Sequence, residues 1–276
     1  NDANLSGANL TKANLNGAHL RGVNLKKANL HMADLRFVDF FEADLSGADL
    51  RRTNLLGVNL KGANLIGANL SGVLLLNVDI TDAKISKEIL DQAILCHTIL
   101  VDGTLSGCNL RRANLKKINL SKSDLRLVDF READLSGAQL QEADLRKVDI
   151  SKANLKGSNL SRANLSGADL TETNLEHANL DKAFLVKTKL IEANLNGASL
   201  RGAILTSANL MRANLAGANL SSENLFVTFL QKANLHSVNF SGANLYKADL
   251  RFSTLNNVYF CETKMPNGKI NNTSCS

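Results

Sequence analysis

An all-β solenoid, wound squarely with about 20 residues per coil, is the fold class that this 276-residue sequence predicts. Three observations predict it. Every fifth residue from Leu5 to Ile270 is large and apolar, without one insertion or deletion. Two residues before it stands a small side chain, as in Ala3, Ala8, Ala13, Ala18 and Val23. Between the two sits Asn or Asp in most units, as in Asn4, Asn9, Asn14, Asp34 and Asp39.

A period of five suits neither a helix nor a plain strand. A spacing of two inside each unit points both apolar side chains the same way if the backbone is extended. The chain must then turn before the next unit. Four right-angle corners close a square, so residues 1–265 make about 13 coils of 20 residues, stacked about 4.8 Å apart. The large side chain fills the interior and the small one fits near the corner. The Asn or Asp side chain bonds backbone groups of the turn. Residues 266–276 differ in composition and read as a C-terminal cap or tail.

Composition narrows the classes further. Aromatics at 4%, a single Pro and no Trp exclude an ordinary globular core. A balanced charge of +6 and abundant Leu exclude disorder. No apolar run is long enough for a transmembrane helix. With neither an initiator Met nor an apolar signal segment, the chain reads as a mature or trimmed product.

Units such as Ala8-Asn9-Leu10-Thr11-Lys12 and Ala163-Asn164-Leu165-Ser166-Gly167 resemble the A(D/N)LXX repeat of pentapeptide repeat proteins, and the resemblance runs from residue 3 to about 265. It implies a right-handed quadrilateral β-helix and a non-enzymatic, binding-type role. The segment Phe260–Gly268 is similar to the ends of cyanobacterial and chloroplast-lumen members.

Irregularities mark candidate sites. Residues 20–50 and 110–140 share Arg21/Arg111, Lys26-Lys27/Lys116-Lys117, Phe40/Phe130 and Glu42/Glu132, identities the repeat does not demand. They read as a duplication that lengthens the rod. Around residues 74–101 the polar position fails, and Ser86–Ile94 would also suit a short helix capped by Ser86. Because Ile85, Leu90, Leu95, Leu100 and Leu105 keep the frame, a continuing, distorted coil is the expectation. Residues one coil apart stack, so Leu74, Leu76 and Ile94 form one expected exposed apolar patch. Phe184, Val186, Ile204, Phe226 and Val227 form a larger one, with Ile191, Met211 and Phe229 on the next face. Clustered exposed apolar side chains mark binding surfaces. Glu223 occupies a small-residue slot, where a bulge is expected.

Catalytic chemistry is not legible. The five His do not converge on such a coil, and no HExxH, Walker, GxSxG or CxxC motif occurs. No catalytic, cofactor or metal site is expected. Cys96, His97 and Cys108 are close in sequence, but the two cysteines fall at different corners, so they read as free thiols. Pro266-Asn267-Gly268 signals a turn that would bring Cys261 and Cys275 together. A bridge there would cap the last coil and imply export to an oxidising compartment, the periplasm or a thylakoid lumen. The alternative is a pair of free thiols in a cytoplasmic protein.

The functional reading is a structural or protein-interaction rod with an unidentified protein partner, and self-association end to end or side by side is open to it. One alternative is mimicry of duplex DNA toward a type II topoisomerase, which needs a long acidic field. Asp34, Asp39, Asp44 and Asp49 spread over all four faces, and Arg36, Arg51 and Arg52 interrupt them. The other alternative is nucleic-acid binding by a basic surface, against which the mixed charges and scarce aromatics argue.

Overall fold

The computed structural model describes residues 3–108, 110–126 and 128–275. Positions 1, 2 and 276, at the outer bounds of the expected rod and tail, lie outside the described residues. Where the five-residue frame predicts one run, the chain divides into two compact units, Asn1–Asn109 and Leu110–Ser276.

In the first unit, parallel bridges join residues 20 apart, from Asn4–Asn24 to Asp79–Ile99. Each corner repeats one turn. Ala8 N–H donates to Leu5 O at 3.0 Å, and the second central residue, Gly7, has φ +67°. A positive φ there alone is the type II pattern. Many corners place Lys, Arg or Glu in this left-handed region, as at Lys27 (φ 57°) and Glu42 (φ 56°). Such a residue gives up about 1–2 kcal/mol. The next coil holds it in place, since Lys27 N–H donates to Ser46 O at 2.8 Å.

Inside, Leu25, Leu45, Leu65 and Leu75 are fully buried, with Ala28, Ala48 and Val73 in the small slots. Asn and Asp do what their position predicts. Ser166 N–H donates to Asn164 Oδ1 at 3.1 Å, closing an Asx turn inside the corner. Along one side of the second unit the amides also bond to each other. Asn154, Asn174, Asn194, Asn214 and Asn234 each donate to the residue one coil earlier, beginning at Asp134, over 3.0–3.3 Å.

Residues 81–103 depart from the expected coil. Strand β1 (Leu74–Leu76) pairs in parallel with β2 (Ile94–Cys96), and between them lies the one-turn helix α1 (Lys87–Leu90). Ser86 stands at its N-cap position without a capping side-chain hydrogen bond. After β2 the chain reverses. Cys96 faces Cys108 and Ile99 faces Leu105 in antiparallel bridges. The turn Leu100-Val101-Asp102-Gly103 closes through Gly103 N–H to Leu100 O, with Gly103 at φ +83°. Leu100 N–H, which a further coil would satisfy, donates instead to Thr104 O at 2.7 Å.

This reversal corrects the expectation of two free thiols, because Cys96 and Cys108 are joined by a disulfide. A continuous coil would have kept them at different corners; the hairpin sets them face to face. It also corrects the first expected patch. Leu74 and Leu76 are only 4% and 2% exposed, and Ile94 is half-buried. Leu74 and Leu76 are thus covered, and of the three residues only Ile94 keeps part of its side chain at the surface.

The second unit resumes the parallel ladder at Asn114–Asp134 and carries it to Asn244–Lys264. It finishes in the same device. Strands β3 (Thr263–Lys264) and β4 (Ile270–Asn271) pair antiparallel, Gly268 N–H closes the turn on Met265 O, and Cys261 is bridged to Cys275. Gly268 lies at φ +86°, and Met265 N–H donates to Lys269 O at 2.8 Å, matching Gly103 and Leu100 one for one. At Glu223 the coil keeps its path, with Asn244 N–H on Glu223 O at 2.8 Å. The corner bond of the preceding unit, Ala218 N–H to Leu215 O, has no counterpart at Glu223 among the described residues.

Candidate functional site

The larger apolar cluster of the second unit is built by stacking. Phe184 and Ile204 take the position usually held by Asn and face each other across adjacent coils. Neither can cap its turn as Asn does, so both project outward as bare hydrophobes. Val186 and Phe226 follow the buried Leu185 and Leu225 at the first corner position, and Val227 takes the second, at φ 55°. Phe184 is 44% exposed, while Val186, Ile204, Phe226 and Val227 are half-buried. The ladder thus gathers all five residues on one side. Around the corner, Phe229 is exposed, and Ile191 and Met211 are half-buried.

Three further residues complete the surface. Tyr246, one coil beyond Phe226, stacks on it with ring centroids 6.0 Å apart. Lys247 and Lys264 place their ammonium groups 5.4 and 4.8 Å from the centre of the Tyr246 ring. Such cation–π contacts hold a cation against an apolar surface. Stepping 20 residues from Phe226 would have found Tyr246; the lysines carry no signal in the repeat. The result is an aromatic corner edged with cations.

The unit that presents Phe226 and Val227 also buries a carboxyl group. Glu223, in the column of Ala203 and Ala243, is 1% exposed. Neither of its oxygens has a well-formed hydrogen-bond partner. Burial pushes its pKa up to about 8, against a smaller opposing effect of the backbone N–H groups of Gly202 and Ala203. Near neutrality the group is therefore largely protonated.

Most other surface charge is neutralised locally. In each Asp-Leu-Arg triplet, and in Asp129-Phe130-Arg131, the arginine folds back on the aspartate two residues earlier. Arg126 reaches Asp124 by Nε at 2.9 Å and Nη2 at 2.7 Å, and Arg131, Arg146 and Arg251 repeat the clamp on Asp129, Asp144 and Asp249. Hydrogen bonds from these arginines hold the four carboxyl groups below the usual carboxylate range. Asp129, Asp149 and Asp169 line up along one side, yet Arg131 and Lys189 reach all three within 4 Å. A groove of about 400 Å³ is lined by Arg126, Asp129, Arg131, Lys147 and Asp149 with Val128 and Val148, and one of about 370 Å³ by Glu142, Arg162, Asp181, Lys182 and Arg201 among others, so each carries charges of both signs.

The sequence profile for pentapeptide repeats matches most of the chain, over residues 3–77, 89–222 and 228–272. No curated protein matches. Several solved structures are similar. HetL, a pentapeptide repeat protein involved in heterocyst differentiation regulation from the cyanobacterium Nostoc sp. strain PCC 7120, is 26% identical over 98% of this chain and 92% of its own, with a TM-score of 0.37. Rfr23 from the cyanobacterium Cyanothece 51142 is 39% identical over 36% of this chain and 62% of its own, with a TM-score of 0.26. The thylakoid-lumen protein AT2G44920 from Arabidopsis thaliana is 24% identical over 44% of this chain and 71% of its own, with a TM-score of 0.23.

Proposed function

Because this chain belongs to the pentapeptide repeat family, we propose that it is a non-enzymatic interaction module, a right-handed quadrilateral solenoid that presents side chains at fixed spacing to a protein partner. The observation that carries this reading is the aromatic corner of the second unit. Phe184, Val186, Ile204, Phe226 and Val227 lie together on successive coils, extended by Tyr246. Aromatic anchors on a rigid scaffold lose little side-chain entropy on binding. Lys247 and Lys264 at the edge favour a partner with acidic residues around an apolar anchor.

The DNA-mimic alternative fares less well, because it needs free negative charge. The aligned Asp129, Asp149 and Asp169 are each within reach of Arg131 or Lys189. Two bridged cysteine pairs support export to an oxidising compartment, periplasm or thylakoid lumen. The test is Phe226→Asp. Capture of partners from a lysate of the source cell falls at least tenfold, while the melting temperature stays within a few degrees because Phe226 is not interior. Unchanged capture would remove the aromatic corner as the binding site.

A further inference from the structure

The two hairpins that close the units follow one plan, Cys-x-Thr with a turn glycine and a returning Cys, but differ beside the first cysteine. The first has Cys96-His97; the second has Cys261-Glu262. In the first hairpin, the sulfur atoms of Cys96 and Cys108 and a ring nitrogen of His97 lie within 4.8 Å of one another. Cys96 is buried, whereas His97 and Cys108 are half-buried, so the group has one dry side and one side open to solvent. His97 is held at φ 49° in the corner after β2, and its imidazole makes no hydrogen bond or ion pair with another described residue.

We propose that Cys96, His97 and Cys108 form a zinc site when their disulfide is reduced, so that a metal cross-link closes the first hairpin in place of the sulfur–sulfur bond. Two thiolates and one imidazole, with water in the fourth position, are a donor set that Zn2+ accepts in tetrahedral geometry. Zinc–sulfur bonds of about 2.3 Å put the two sulfurs about 3.8 Å apart. Cys96 and Cys108 face each other in an antiparallel bridge with Cα atoms 4.1 Å apart, so rotation about their Cα–Cβ bonds is the change that this separation asks for. The redox step balances: a dithiol gives two electrons and two protons to the disulfide and is itself oxidised to a disulfide. Zinc then displaces the two thiol protons. The second hairpin offers Glu262 instead of an imidazole and falls outside the described metal-competent group, so it serves as an internal control.

The test uses the full chain, reduced with a phosphine under argon and titrated with Zn2+ against a chromophoric chelator. The reduced protein binds one Zn2+ per chain and the oxidised protein none. Cys261→Ser with Cys275→Ser leaves that affinity unchanged. His97→Asn, which tolerates the left-handed backbone, weakens binding more than tenfold while circular dichroism shows the coil intact. Equal affinity in native and His97→Asn chains would overturn the proposal. So would a folded chain whose Cys96–Cys108 bridge resists the phosphine, or reduced protein that binds no zinc.

Discussion

Glu88 and Glu223 occupy the same slot of the repeat, two residues before the large apolar side chain, where Ala is usual. At Glu88 the first unit abandons the coil for the single turn of α1, and the carboxylate reaches solvent. Hydrogen bonds from its own backbone N–H and from Ser86 then hold its pKa below the ordinary value. At Glu223 the second unit keeps its ladder, and the carboxyl group is trapped inside with its pKa pushed up to about 8. The frame is identical and the outcome opposite. A charged group in the small slot either breaks the coil or gives up its charge, because burying an unpaired carboxylate costs more than either. The neighbourhood decides. Ser86 and Asp91 flank a segment that can form a helical turn, whereas Asn224 and Leu225 continue the repeat.

The contrast predicts a pH dependence confined to the second unit. Glu223 rises from an ordinary 4.5 to about 8 on folding. Its folded-state advantage is thus complete below pH 4.5 and is lost as pH climbs to 8. At about 1.4 kcal/mol per unit, the coils around residue 223 lose up to ~5 kcal/mol across that range. Hydrogen-exchange protection factors at residues 203–245 fall accordingly, while those at residues 23–65, where every small slot holds Ala, Val or Thr, stay level. Glu223→Ala flattens the profile. A wild-type profile already flat between pH 5 and 8 would show that the carboxyl group finds water.

The next prediction separates being in frame from being inside. Leu75 and Leu105 both keep the five-residue frame, but Leu75 is fully buried in β1 and Leu105 is 66% exposed in the hairpin. Leu75→Ala costs about 2–5 kcal/mol. Leu105→Ala stays within about 0.5 kcal/mol. Chemical denaturation of the two variants measures both. Similar losses would mean that the frame continues through residue 105 as a coil.

These pairs also mark what the sequence could reveal. Wherever the frame, the small slot and the Asn position agree, as from Ala163 to Leu180, the coil can be read residue by residue, because each requirement independently specifies the same corner. Between residues 86 and 108 the frame persists while the Asn position fails, and at Leu105 the frame misleads: that side chain is exposed in the hairpin, whereas Leu100 still packs against the core. The legible signal there was the recurrence of Cys-x-Thr and a turn glycine at 96–103 and 261–268, which points to one closing device used twice. At the aromatic corner, Phe184 and Phe226 stand out because they violate or decorate the repeat. Tyr246 emerges only from stacking, and the burial of Leu74 and Leu76 depends on tertiary cover that no spacing encodes.

Whether the two hairpins are equivalent closures is the finest question, and two threonines address it. Thr98 donates from Oγ1 to Leu75 O at 2.5 Å, and Thr263 donates to Phe240 O at 2.7 Å, each reaching the coil below from a fully buried small slot. Thr173, Thr188 and Thr228 make the same bond within regular coils. The closing hairpins therefore begin only after the chain has docked in register on the preceding coil. Thr98→Val and Thr263→Val keep the shape and remove one hydroxyl, and each costs about 1 kcal/mol. Equal losses, read from hydrogen exchange at Leu100 and Met265, mean that both hairpins are locked by the same anchor. A loss at Thr263 with none at Thr98 would mean that the first hairpin is held by its disulfide and its own backbone pairing without this anchor, and the kinship of the two closures would then be one of sequence without shared mechanics.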